Sequence, residues 1–109
     1  MASREFADYA VELLEPLGTV RAKRMFGGYG LYLDGLMFAL IADDVLYVKA
    51  DAENSAAFAA RAMPAFEYQR QGKRVTMAYH AVPAEALEDQ DDLVALARLG
   101  FAAALRGRR

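Results

Sequence analysis

The stretch Arg24-Met-Phe-Gly-Gly-Tyr-Gly-Leu-Tyr-Leu-Asp-Gly35 limits what this chain can fold into more than any other. Gly27, Gly28 and Gly30 are interleaved with Tyr29, Leu31 and Tyr32. Tyr32 alternates with Tyr29 and Leu31, so in a strand it points away from the face they choose. The run ends in Asp34-Gly35, the pair that favours a two-residue hairpin turn. The next residues, Leu36 to Ala42, are apolar at every position, which describes a central strand covered on both faces. In the strand after that, Val45, Tyr47 and Lys49 share one face and Leu46, Val48 and Ala50 the other. The pattern predicts strands over 21–26, 29–33, 36–42 and 45–50. Asp34-Gly35 and Asp43-Asp44 connect the last three, because aspartate tolerates positive φ better than most residues.

Helical periodicity frames this block. Phe6, Ala10, Leu13, Leu14 and Leu17 form one stripe, which predicts a helix over 4–15. Ser3 suits its N-cap and Glu5 the positive end of its dipole, while Pro16 and Gly18 end it. Asp51 or Asn54 can cap a second helix running to about Met63, with Phe58, Ala59, Ala62 and Met63 inward and Pro64 as the stop. Phe66–Gln69 and Arg74–His80 read as strands around a Gln71-Gly72 turn, and Pro83 opens a short helical turn. The last helix carries the stripe Leu93, Leu96, Ala97, Gly100, Phe101, Ala104, Leu105. Asp89 with Asp92 resembles a capping box, and Arg106, Arg108 and Arg109 suit the negative end of the dipole.

The order is therefore α-β-β-β-β-α-β-β-α. Sequential strands joined by tight turns make an antiparallel sheet. Three helices do not readily cover both of its faces. The expected fold is an α+β two-layer sandwich with helices on one face, the far face being partly open or covered by another chain. With 109 residues the chain is one domain, 1–109, large enough to bury about 65% of its unfolded surface and fold without a metal or disulfide. The absence of cysteine excludes thiol nucleophiles and cysteine-based metal centres. The N-terminus lacks the basic-then-apolar pattern of a signal peptide, and no run of about 18 uncharged apolar residues exists, so a cytoplasmic setting is expected. Thirteen basic residues are offset by fifteen acidic ones, a net charge of −2, which argues against the broad basic footprint of a standalone nucleic-acid binder.

Reactive groups are sparse. His80 is the single histidine and has no carboxylate neighbour in sequence to fix its tautomer, so no multi-histidine metal site can be built. The acidic stretch from Glu85 to Asp92 lacks the glycine and bidentate glutamate of a calcium loop and sits where helix-start carboxylates belong. Asp43, Asp44, Asp51 and Glu53 fit turns better than acid–base pairs. The glycines around Tyr29 do not make a dinucleotide loop, since position 33 is leucine and no helix follows. They suit a turn, a bulge or a close approach instead. Ser3 and Ser55 are expected at helix starts. The basic groups Arg21, Lys23, Arg24 and Arg70, Lys73, Arg74 suit charged strand edges. Tyr29, Tyr32, Tyr47, Tyr68 and Tyr79 all fall on predicted strands, and some must face the side without helices. Tyrosine there suits an interface, because a large apolar ring carries one polar tip.

The run from Arg24 to Asp51, with Phe66-x-Tyr68, Met77-x-Tyr79, Pro83 and the terminal amphipathic helix, resembles the N-terminal domain of the TfoX family, named for a regulator of natural competence. The resemblance covers nearly the whole chain. It implies a secretion-chaperone-like two-layer fold and offers no catalytic residues to carry over. It also implies that any nucleic-acid contact depends on the second, helical domain of the full-length regulators. The expectation is a non-enzymatic, regulatory protein-interaction domain that binds a protein partner or a second copy, with no cofactor or metal. Arg24, Tyr29, Tyr32, Tyr47 and Lys49 are the interface candidates. The alternative is a small-ligand or enzyme module with a cleft near Gly27-Gly28, lined by Arg24 and Tyr79.

Overall fold

The computed structural model describes residues 3–25 and 27–108. Phe26, the expected last residue of the first strand, and Arg109 of the basic tail lie outside them. The chain runs α1 (Arg4–Leu13), a 3₁₀ turn (Glu15–Leu17), β1 (Arg21–Met25), β2 (Gly28–Leu33), β3 (Leu36–Ala42) and β4 (Val45–Lys49). It continues through α2 (Ser55–Ala60), β5 (Ala65–Arg70), β6 (Lys73–Ala81), a second 3₁₀ turn (Ala84–Glu88) and α3 (Gln90–Arg106). All six strands form one sheet in the order β1-β2-β3-β4-β6-β5, antiparallel throughout. This is the α+β layout expected from the pattern of elements.

Three hairpins are closed by pairs with positive φ at both positions: Asp34 (52°) and Gly35 (80°), Asp43 (50°) and Asp44 (58°), Gln71 (53°) and Gly72 (78°). Two such residues match the right-handed twist of the flanking strands, which keeps neighbouring strands in tight register.

The uniformly apolar β3 has a local cause. Leu31 pairs with Ala39 but Tyr32 pairs with Met37, so Phe38 is an extra residue in a bulge. Cross-strand partners share a face, which puts Ala39 and Ile41 with Leu46 and Val48 under the helices. Phe38 joins that side too: its ring meets Phe101 of α3 edge-on at 6.2 Å. Met37, Leu40 and Ala42 look the other way, and Leu40 is still only 5% exposed. β3 is thus buried on both faces, although helices lie on one alone.

α3 is the main cover. Leu93, Leu96, Ala97, Gly100 and Ala104 are buried as the stripe predicts. A Cβ on Gly100 would stand 2.9 Å from the Phe38 carbonyl oxygen, so this residue sets how closely helix and sheet approach. The stripe stops short of Leu105, which is exposed and lines a shallow hollow with Leu17 and Leu33. α2 is also shorter than its apolar spacing suggests. Ala62 adopts φ 54° and the Met63 N–H donates back to the Phe58 carbonyl at 3.2 Å, a left-handed stop. That reversal buries Phe58 and Met63 and leaves Ala59 and Ala62 in solvent.

The caps follow the sequence with one departure. Ser3 Oγ accepts from the Phe6 N–H at 3.1 Å, and Asp89 accepts from the Asp92 N–H at 3.2 Å. Asp92 does not complete a reciprocal box. Its carboxylate takes both guanidinium nitrogens of Arg61, at 2.7 and 3.0 Å, a charge-assisted fork that outcompetes the backbone N–H.

Candidate functional site

The sheet face without helices is concave, and it gathers side chains from every strand. Register places Arg21, Lys23 and Met25 of β1 beside Tyr32, Gly30 and Gly28 of β2. Leu40 of β3 stands opposite Tyr47 of β4, and Lys49 opposite Tyr79 of β6. On the last hairpin, Phe66, Tyr68 and Arg70 pair with Met77, Val75 and Lys73. The Phe66 ring meets Tyr47 at 4.9 Å and Tyr68 at 5.9 Å, so β5 curls over this face. A groove of about 540 Å³ results. Its lining joins Met25, Gly28, Leu40 and Ala42 on one side to Phe66, Tyr68, Arg70 and Met77 on the other.

The glycines allow this crowding. A Cβ on Gly28 would lie 2.1 Å from the Ile41 carbonyl oxygen, and one on Gly30 within 2.9 Å of the sulfurs of Met25 and Met37. Gly28 needs a hydrogen there because it faces backbone, as the glycine pattern predicts, whereas the flexible methionine ends around Gly30 can give way.

The charged strand side chains on this face are all basic, while Asp43 borders it from a hairpin turn. Lys23 Nζ stands 4.8 Å from the Tyr32 ring centre, and Lys49 Nζ 5.1 Å from that of Tyr79. Such contacts fix a cation over a ring's negative face. Tyr79 is 5% exposed; burial, with Tyr32 nearby, pushes its hydroxyl above the ordinary phenol range. Tyr47 is raised as well, by burial first and then by Asp43. Glu67 is the one carboxylate in the six strands, and it sits on the opposite face with Arg74 at 3.5 Å.

The interface candidates divide between two faces. Tyr32, Tyr47 and Lys49 lie together on the helix-free side, each half-buried. Arg24 and Tyr29 pair across β1 and β2 on the other side, and Tyr29 belongs to the helix-covered core at 5% exposure. Arg24 is exposed, 5.8 Å over the Tyr29 ring, beside Arg4 and Asp8 of α1. Strand alternation sends Tyr29 with Leu31 into the helix-covered core, although the residue also borders the groove. The groove does border Gly28, but Arg24 and Tyr79 do not line it. Met25, Phe66, Tyr68, Arg70 and Met77 were not singled out as lining residues. The available signal was charge: the strand segments carry seven basic residues and the single acidic Glu67.

Polar groups elsewhere are structural in geometry. His80 Nδ1 lies 2.8 Å from the Met63 carbonyl oxygen, which can only accept, so Nδ1 carries the hydrogen. Its ring packs against Phe58. Asn54, 3% exposed, accepts from the Asp51 N–H at 2.8 Å and donates to the carbonyls of Lys49 (3.1 Å) and Leu99 (2.9 Å). Asp51 takes the Arg106 guanidinium as a fork at 2.6 and 2.9 Å. That pairing, with the N–H groups of Glu53 and Asn54, holds its carboxyl at about 2. Asp92 is lowered likewise by Arg61. Among the described residues no helix is long and apolar enough to cross a membrane.

The TfoX N-terminal domain model matches residues 12–104, from the end of α1 to the last turns of α3. The chain belongs to the TfoX N-terminal domain family. It is 34% identical over 96 residues to Protein Sxy of Escherichia coli (strain K12). That alignment covers 87% of this chain and 46% of the relative, so the chain spans less than half of that protein's length. The family's matching region contains the whole sheet and the whole groove.

Proposed function

We propose that this chain is a non-enzymatic, regulatory protein-interaction domain of the TfoX type, working in the cytoplasm and binding a partner protein or a second copy of itself. One observation carries the reading: aromatic, methionine and cationic side chains share a concave face that the chain's own helices leave uncovered. Interfaces are enriched in aromatic, methionine and arginine side chains. Tyr32, Tyr47 and Lys49 are its proposed contact residues; Arg24 marks its exposed margin on the far side of β1. The non-enzymatic part is supported by His80, whose Nδ1 is tied to a backbone carbonyl and whose ring packs on Phe58.

The test is Tyr32→Ala, assayed by sedimentation over a concentration series and by pull-down from the native host. The reading expects weaker association with a melting temperature within a few degrees of the parent. A variant that unfolds, while binding by the folded fraction is intact, would make Tyr32 a core residue and remove the anchor. A second reading, a small-ligand module, is favoured by the groove's volume, which falls within the usual range of ligand sites, roughly 300–1,000 Å³. Its polar lining is sparse for that role, with Tyr29, Tyr68 and Arg70 the residues there that carry polar side-chain groups.

A further inference from the structure

We infer that the occupant of the concave face is an acidic, amphipathic segment of another protein. This rests on reading that face as a docking surface, and it adds the chemistry of what docks there.

Charge is the first argument. Register puts Arg21, Lys23, Lys49, Arg70 and Lys73 on this face, and no strand carboxylate shares it. Carboxylates border it in hairpin turns, as at Asp43-Asp44 beside Tyr47. The chain as a whole is net negative, so the excess of positive charge here reflects placement and not composition. The pairs Arg4–Asp8, Arg61–Asp92, Arg74–Glu67 and Arg106 with Asp51 and Glu53 use none of the cations of this face. The cations of the face are left to a partner. Two of them are already positioned over tyrosine rings, which reduces the ordering a partner's carboxylate must impose.

Apolarity is the second argument, and it separates a peptide from a nucleic acid. The groove floor is Met25, Leu40, Ala42, Phe66 and Met77. Such a floor gives phosphates nothing to bond, whereas nucleic-acid interfaces are polar and wet. Adaptable methionine side chains suit the apolar face of an amphipathic segment, as in helix-in-groove recognition. The apolar residues of such a segment would fill the groove while its carboxylates reach the cations on either side.

A display library of random peptides of about 16 residues, roughly 24 Å as a helix, tests this with the full chain as bait. The expected pool is enriched in Asp and Glu spaced among Leu, Met and Phe. Binding of a selected peptide should fall as salt rises from about 50 to 300 mM, and Lys23→Glu/Arg70→Glu should weaken it about tenfold or more. A pool that is neutral or basic, yet loses binding on Met77→Ala, overturns the acidic occupant and leaves the docking surface standing. Peptides indifferent to Met77→Ala and to charge reversal overturn both. A 20-nucleotide single strand that displaces the selected peptides at lower concentration would assign the face to nucleic acid. Concentration-dependent self-association through residues 85–92 would assign it to a second copy. Either result overturns the inference.

Discussion

Asn54 is the one buried polar side chain in the described core, and it joins three elements through a single amide. It ties the end of β4 (Lys49 carbonyl), the approach to α2 (Asp51 N–H) and the middle of α3 (Leu99 carbonyl). Asn54→Ala removes all three bonds. The part-buried Asp51 N–H loses its acceptor, which costs up to about 1–3 kcal/mol. The two carbonyls each retain a second lone pair and lose about 0.5–1 kcal/mol. The total is about 2–5 kcal/mol, a large part of the roughly 5–15 kcal/mol that holds a domain of this size. At about 2.1 cal/mol/K per residue for the unfolding entropy, 3 kcal/mol lowers the melting temperature by about 13 °C. Urea unfolding followed by circular dichroism and calorimetry measures both quantities. Asn54→Asp keeps the acceptor but turns a carboxylate toward two carbonyls, and should be at least as damaging. A loss under about 1 kcal/mol for Asn54→Ala would refute the reasoning, because it would mean the three bonds are replaceable.

Two further expectations concern stability. Asp51 is held at about 2, below its unfolded value of roughly 3.9, so its contribution is complete above about pH 4 and disappears as pH falls toward 2. Arg106→Gln should remove that part of the acid transition, seen as a flatter stability curve between about pH 4 and 2; an unchanged curve would show that the pair is not what depresses Asp51. Gly28→Ala should prevent folding or cost more than about 3 kcal/mol, since its Cβ would overlap the Ile41 carbonyl, while Gly27→Ala meets nothing within 4 Å and should cost about 1–2 kcal/mol for its φ of 78°. Equal melting temperatures for the two variants would contradict the close packing of β2 on β3.

Most of the layering was readable because it depends on local signals. Each hairpin turn carries an Asp or a Gly, and the buried α3 residues Leu93, Leu96, Ala97, Gly100 and Ala104 follow one stripe. Three features were not readable. The bulge at Phe38 is a register event, and a uniformly apolar segment carries no alternation to betray it. The early end of α2 depends on Ala62 taking positive φ, an unusual choice for alanine that its spacing does not disclose. The groove arises from curvature that brings β5 across the sheet to β3, and contacts so distant in sequence leave no periodic trace. That curvature also explains why Leu40 and Tyr79 are buried on a face without helices. The split of the interface candidates was partly legible, since alternation already opposes Tyr29 to Tyr32.

The methionines offer the most direct measurement of which face works. Met25, Met37 and Met77 stand on the concave side, and Met63 is buried in the helix-covered core as an internal control. In a methyl-labelled sample titrated with a selected peptide or captured partner, the resonances of Met25, Met37 and Met77 should shift while Met63 holds. Shifts confined to Met63 or to the exposed α3 leucines, Leu99 and Leu105, would place the contact on the helix layer and contradict the account.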